Sequence, residues 1–369
     1  MSNGKNSPER LKMGEGYISG YLSILFSLTS LGAVLCFRFP EFLTTPEFRV
    51  AYPLDTVRGV LLLCLIMGYI FAFVSVCLSR QPKLALSGAL ISTFAILIGG
   101  TGVEISAMDQ SIGSISLDWL LIDIVVLSLI FIPIELFVPK RTEQTKFHSE
   151  WRTDAIYFAI SHLAVQYTAI VVKFPAESLF SGDGFEPLRS AVSSWPFLIQ
   201  LGLAMLLADL FQYAAHRFFH SNSIMWRFHS VHHSIKTIDW IAGSRLHLVD
   251  ILITRSFSYL PLYLMGFSIS VFYTYVAIVA FQAVLAHANT RIPFGPLKYL
   301  FVTPQYHQWH HSDDPRHYNK NFAIHFPAID KLFGTYFLPG TDWPKSMGLG
   351  TVQMPKGYVR QFIRPFISR

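Results

Sequence analysis

The sequence predicts an all-α fold, a polytopic bundle of membrane helices. Three observations predict it. Hydrophobic residues make up 52% of the chain and charged residues only 14%. Several apolar runs reach the roughly 20 residues a helix needs to cross a bilayer. The charged residues collect between those runs, and successive loops alternate between basic and neutral or acidic, as membrane loops do.

The elements follow in order. The polar start (Lys5, Arg10, Lys12) leads into an apolar run at about 17–37. That run is too long for a signal-peptide core and has no small-residue cleavage site, so it is expected to remain as a membrane helix. Runs at about 59–78, 85–103 and 118–138 read as the next three helices. Two more lie at about 153–173 and 196–215. The pair 248–265 and 268–286 is separated only by Gly266 and Phe267, and reads as a helical hairpin that enters the membrane and returns.

Charge orients these helices. Arg80 and Lys83 mark one loop, and Lys140, Arg141, Lys146 and Arg152 mark another. Arg38, Arg49 and Arg58 are offset by Glu41, Glu47 and Asp55. Glu104 and Asp109 stand alone, and Glu177, Asp183 and Glu186 outweigh Lys173 and Arg189. The Lys/Arg bias places the N-terminus in the cytoplasm, and six crossings bring the chain back there at His216. The hairpin returns there too, at His287. Two regions follow: 1–150 with four helices and no ligand cluster, and 151–369 with the histidines.

Composition also excludes some classes. The net charge of +6 does not point to nucleic acid, because the basic stripe such binding needs is absent. Cys36, Cys64 and Cys77 fall in apolar segments without CxxC spacing. They read as small buried hydrophobes.

Ten histidines lie between His216 and His311, and eight form three clusters. The clusters are His216-x-x-x-His220, His229-x-x-His232-His233 and His307-x-x-His310-His311. Neutral imidazole is the commonest side-chain ligand for Zn, Cu, Fe and Ni. On a helix, residues i, i+3 and i+4 share one side, so each cluster can aim at a common point. Eight or more nitrogens suit two metals, whereas structural zinc usually takes four ligands, often with cysteine. Spacing alone does not separate iron from zinc or copper. The fold class therefore extends to a bundle with a cytoplasmic, histidine-rich di-metal cap.

The outlying candidates are His287, at the end of the returning hairpin and expected as a further ligand, and His247, at its start. For His247, ligation, support of a ligand and a structural role stay open. Asp209, two turns before His216, either orients a ligand histidine or ligates directly, since an acid inside a membrane helix usually has a partner. His148 reads as a loop residue, His162 as a hydrogen-bonded core histidine, and His317 and His325 as structural or supporting residues. No catalytic residue beyond the metal ligands is singled out. Two other classes compete with an enzyme. A metal carrier or sensor would line a path across the bilayer with ionisable residues. Asp118, Asp123, Glu135, Asp154 and His162 are scattered on different helices instead. A b-type haem protein needs paired axial histidines and has no use for the HxxHH boxes.

The segments "HRFFH", "MWRFHSVHHS", "QYHQWHHS", "NKNFA" and "IDKLFGTYFLP" resemble the fatty acid hydroxylase superfamily, also called the sterol desaturase family, over roughly 150–340. The "IMW…H…HHS" stretch is also similar to alkylglycerol monooxygenase. The resemblance implies a membrane-bound, di-iron, O2-dependent enzyme that hydroxylates or desaturates a lipid or sterol. Zinc is a possible substitute for the two Fe ions. The eight clustered histidines match the family's boxes, and His287 its extra histidine. Asn319, Asn321, Asp330 and Gly334 match the closing element, expected to pack under the site. Phe322-Ala323 stands where Tyr-Gly is usual, and Ile329 where Trp often precedes the acid. No cytochrome b5-like segment is visible, so an external electron donor is expected beside O2, the lipid substrate and membrane lipids. The expected location is a bacterial inner membrane, or the endoplasmic reticulum in a eukaryote.

Overall fold

The structure is a computed structural model that describes residues 14–45, 53–78, 82–105, 116–145, 147–180 and 184–367. Lys5, Arg10, Lys12, Glu47, Arg49, Arg80, Asp109, Lys146 and Asp183, used above to orient the loops, lie outside them. The described residues form helices and no β-strand. We number the α-helices α1 Tyr17–Arg38, α2 Pro40–Leu43, α3 Leu54–Leu78, α4 Lys83–Leu97, α5 Leu117–Phe137, α6 Trp151–Phe180 and α7 Glu186–Ser193. They continue with α8 Phe197–Ser221, α9 Ser223–His233, α10 Leu248–Met265, α11 Ile269–His287, α12 Pro304–His310, α13 Pro327–Leu332 and α14 Tyr358–Ile367. Among the described residues, seven helices are long and apolar enough to cross a bilayer: α1, α3, α4 (continued to Gly102), α5, α8, α10 and α11. The chain is a multi-pass membrane protein.

It folds as two compact units, 1–126 and 127–369, with the division inside α5. In the first unit, α1 packs on α3 and α4 through small residues. Ser23 Oγ donates to Gly68 O at 2.8 Å, Ser75 Oγ donates to Gly16 O at 2.7 Å, and Ser27 and Ser92 hydroxyls pair at 2.8 Å. A Cβ on Gly88 would fall 2.0 Å from Ser23 Oγ. Lipid and Leu side chains are equally apolar, so membrane helices associate by close backbone approach and interhelical hydrogen bonds. The large side chains point outward instead, as with Leu63, Phe73, Leu90 and Leu97.

The second unit is built on α6, α8, α10 and α11. Asn222 starts α9 by accepting from the N–H groups of Ile224 and Met225 at 3.0 and 3.1 Å, a standard use of Asn at an N-cap. Gly266 ends α10 at φ 74, where a Cβ would press on Arg189 at 2.6 Å. Ser268 then caps α11. α6 carries Arg152, Asp154 and His162 and is not among the seven apolar helices. It nevertheless runs alongside α10. Asp154 pairs with Arg245 just before α10, and Ala169 O accepts from Tyr263 OH at 3.1 Å near that helix's far end. α6 therefore traverses the same layer.

The basic segment after α5 packs within this unit, whereas the sequence reading put it in the 1–150 region. Glu135 accepts from the N–H groups of Trp240 and Asn289 at 2.9 and 2.8 Å. Arg141 donates to Gln308 Oε1 at 2.7 Å and to Pro344 O at 2.8 Å. Residues 127–150 thus brace the loops around the histidines.

Candidate metal centre

Nine histidines converge at one end of the second unit. His216 and His220 come from the last turns of α8, and His229, His232 and His233 from α9. His287 closes α11, His307 and His310 lie on α12, and His311 caps it. They form two groups, within each of which the ligand nitrogens lie inside 4.8 Å of one another. Group one is His216, His220, His229, His233 and His310; group two is His232, His287, His307 and His311. All are buried except the half-buried His220. The groups adjoin, with the His233 and His311 rings stacked 4.7 Å apart.

The HxxHH spacing explains the split. Residues i and i+4 differ by about 40° around a helix, while i+3 falls on the other side of i. On α9 the i, i+4 pair His229/His233 serves group one and His232 serves group two. On α12 the pair His307/His311 serves group two and His310 serves group one. Each box therefore feeds both groups, with the assignments exchanged.

Hydrogen bonds set the ring tautomers. Nδ1–H donates from His216 to Phe322 O at 2.8 Å, from His287 to Ala283 O at 2.7 Å and from His310 to Lys320 O at 2.7 Å. His232 donates to Arg245 O at 3.2 Å and His229 to the Asp250 carboxylate at 2.6 Å. A carbonyl or carboxylate can only accept, so in these five rings the Nε2 lone pair is left facing inward. His216 and His229 then oppose Nε2 to Nε2 at 3.1 Å, both without a proton. His287 Nε2 also lies 3.1 Å from His307 Nε2 and 3.2 Å from His311 Nε2, and His310 Nε2 lies 3.0 Å from His233 Nε2, with the tautomer set in one ring of each pair. Opposed lone pairs repel unless a cation draws both. His220 Nε2 and His311 Nδ1 are buried with no hydrogen-bond partner. Burial, then the neighbouring imidazoles, hold His232, His233, His307, His310 and His311 well below the ordinary histidine pKa. Neutral, inward-facing nitrogens are the donor set that a divalent transition metal takes, so the residues fit two such ions.

A closing segment supplies two of those carbonyls and is itself clamped. Lys320 O and Phe322 O flank Asn321, which sits at φ 59, where Asn is tolerated better than most residues. Asn321 donates to Tyr306 O and Phe337 O at 2.9 and 2.7 Å and accepts from Phe337 N–H at 2.7 Å. Asp330 accepts from the N–H groups of Phe322 and Ala323, both at 2.8 Å, and from Tyr306 OH at 2.9 Å and Thr335 Oγ1 at 2.7 Å. Asn321 and Asp330, two of the residues matched by motif resemblance, thus clamp the segment that carries these acceptors.

Two of the outlying candidates take other tasks. Asp209 touches neither group. Its carboxylate accepts from the N–H groups of Ile324, His325 and Phe326 at 2.7, 3.0 and 2.7 Å, which occupies both oxygens. Among its described contacts none is an imidazole. His247 caps α10 by accepting from Val249 N–H at 3.1 Å, and its Nε2 donates to Phe362 O at 3.1 Å.

Sequence reasoning missed Asp250 and Arg245. Asp250 is a buried acid in the first turn of a membrane helix, and the cost argument applied to Asp209 would have found it. Arg245 is buried with its guanidinium on Asp154 and Glu150, and its carbonyl holds His232. His148, read as a loop residue, lies between Asp154 at 3.2 Å and Asp239 at 3.5 Å in the same network. A Cβ on Gly243 would meet His287 Cγ and Nδ1 at 2.7 Å, so that position is restricted to glycine by the His287 ring.

The family comparison falls on this region. The fatty acid hydroxylase family model matches residues 201–335. Ornithine lipid hydroxylase OlsE of Rhizobium tropici is 36% identical over 173 residues, 47% of this chain and 52% of that protein. Alkylglycerol monooxygenase of Danio rerio is 33% identical over 144 residues, 38% of this chain and 31% of the relative. Methylsterol monooxygenase 1-1 of Arabidopsis thaliana is 29% identical over 141 residues, 37% and 47% of the two chains. This chain thus spans about half the length, or less, of the curated relatives it matches. No solved structure matches it. All nine converging histidines fall inside the segment that the fatty acid hydroxylase family model matches.

Proposed function

We propose that the chain is a membrane-bound, di-iron, O2-dependent oxidoreductase that hydroxylates or desaturates a lipid or sterol-like substrate at a C–H bond. The observation that carries this is the pair of buried histidine groups, with five ring tautomers set by buried acceptors and the Nε2 lone pairs of His216 and His229 opposed. Relatives named as a lipid hydroxylase and as monooxygenases favour hydroxylation.

His216, His220, His229, His233 and His310 would hold one ion, and His232, His287, His307 and His311 the other. When bound, two ferrous ions supply reduction of O2 and oxidation of the C–H bond. The chain's own residues do the rest. Asp250, Arg245 O, Ala283 O, Lys320 O and Phe322 O keep five imidazoles in the tautomer that presents Nε2. Burial of the rings excludes water from the centre. α8 and α11 carry histidines at the ends of apolar helices, which supports a substrate that reaches the centre from the bilayer. The reading assigns the histidine end to the cytoplasmic face by the Lys/Arg bias. Reducing equivalents come from a separate donor, and zinc can stand in for iron during expression.

The test is elemental analysis of detergent-purified protein grown with iron, beside a His232→Ala, His310→Ala double variant. About two irons per chain, lost in the variant, are expected, followed by incorporation of isotope-labelled O2 into membrane lipids under a reductant. Protein that takes up neither iron nor zinc, even after reconstitution with ferrous iron, would overturn the reading.

A further inference from the structure

A second polar cluster lies deeper in the same unit, on the membrane side of the histidines. Arg255 is in the middle of α10, a membrane-crossing helix, and is only 6% exposed. Its one described hydrogen-bond contact is long, 3.5 Å from NH1 to Gln212 Oε1, and that oxygen already accepts from Ser258 at 2.6 Å. Its Nε–H is buried and has no partner. Tyr259 follows one turn later on the same face of α10, and its hydroxyl is also buried without a partner. His325 Nε2 is the third such atom. Tyr275 bridges the two, with ring centroids 6.4 Å from Tyr259 and 5.9 Å from His325.

A guanidinium stays charged, and burying it in a membrane helix is costly unless something negative accompanies it. No described carboxylate does so. Asp209 is spent on three backbone N–H groups, and Asp250 on His229. The cluster holds a buried guanidinium donor without an acceptor, beside a hydroxyl and an imidazole nitrogen that can each donate, and such a set suits an anion. Gln212 lies four residues before His216 on α8, and Arg255 lies five residues after Asp250 on α10. At about 1.5 Å per residue both are roughly 6–8 Å beyond the histidine centre, toward the membrane interior.

We propose that Arg255, Tyr259 and His325 form an anion site within the membrane layer. It holds a single negative group, either the carboxylate of an amphiphile that enters from the bilayer or a free monatomic anion such as chloride. The site does not depend on whether the histidines hold iron.

The experiment uses the full chain in detergent. Native mass spectrometry compares binding of laurate and of dodecanol, which differ in the negative headgroup. The same titration is run on the His232→Ala, His310→Ala protein, so that a failure of the metal reading does not touch the result. Wild type is expected to bind laurate at least ~10-fold tighter than dodecanol, the ratio one charge-assisted hydrogen-bonded pair supplies. Arg255→Gln should remove that preference while leaving dodecanol binding intact. Tyr259→Phe deletes one hydroxyl without changing shape, so it decides the matter if Arg255→Gln fails to fold. It should lower the preference several-fold. In the second arm, chloride replaces gluconate and the thermal midpoint is read. A rise in wild type that is absent in the variants supports the site with a free ion as its occupant. Absence of both effects, or a laurate preference that survives both substitutions, overturns the proposal.

Discussion

Gly243→Ala should remove one metal ion and spare the other. The added Cβ would fall 2.7 Å from His287 Cγ and Nδ1 and 2.9 Å from its Cβ, against the 3.4 Å at which ordinary contact begins. The ring must therefore retreat by about 0.7 Å, the difference of those two distances. It cannot do so freely, because Nδ1–H is tied to Ala283 O at 2.7 Å within its own helix. Its Nε2, now 3.1 and 3.2 Å from His307 and His311, is carried out of register with them. Overpacking of this kind costs roughly 1–3 kcal/mol, enough to lower the thermal midpoint without abolishing the fold. His287 belongs only to the four-histidine group. Iron per chain should fall from about two to about one, with lipid oxidation lost. The assay is elemental analysis beside a thermal melt of the same preparation. Full iron content in the variant, or loss of both ions from a protein that still melts cooperatively, would refute the division into two groups.

Asp250→Ala should have the reciprocal effect, weakening the five-histidine group by about 10–100-fold in metal affinity, measured by competition with a chelator. Asp209→Ala leaves three N–H groups without an acceptor and should cost roughly 2–5 kcal/mol of stability. Its iron content should be unchanged while folded, and iron lost from intact protein would return Asp209 to the ligand set. His148 gives a pH dependence. Burial pulls its pKa down, but hydrogen bonds and charge from Asp154 and Asp239 outweigh burial and raise it from 6.5 to about 9. The protonated form is favoured in the folded state, so its stabilisation is complete below about pH 6.5 and fades as pH rises through about 9. The thermal midpoint should drop across that window, and His148→Gln should flatten the drop.

The helices and the clustered histidines were legible in the residues alone. Both are local: an apolar run of membrane length forms a helix because its backbone has no other partner in lipid, and HxxHH reads directly as one side of a turn. That locality is also why nine ligand candidates could be picked out by spacing and position. Which histidine serves which group was not legible, because the exchange between α9 and α12 depends on how two separate helices meet. Packing also settles what orients the rings. Four of the five acceptors are backbone carbonyls, which every residue has and no residue type announces. The fifth, Asp250, is an acid like Asp209, and the two differ in what the fold brings to them: an imidazole in one case, three N–H groups of a distant loop in the other. Arg255 shows the same limit. Its position in a membrane helix is plain from the chain, but its lack of a carboxylate partner among the described residues is a property of the packed structure alone.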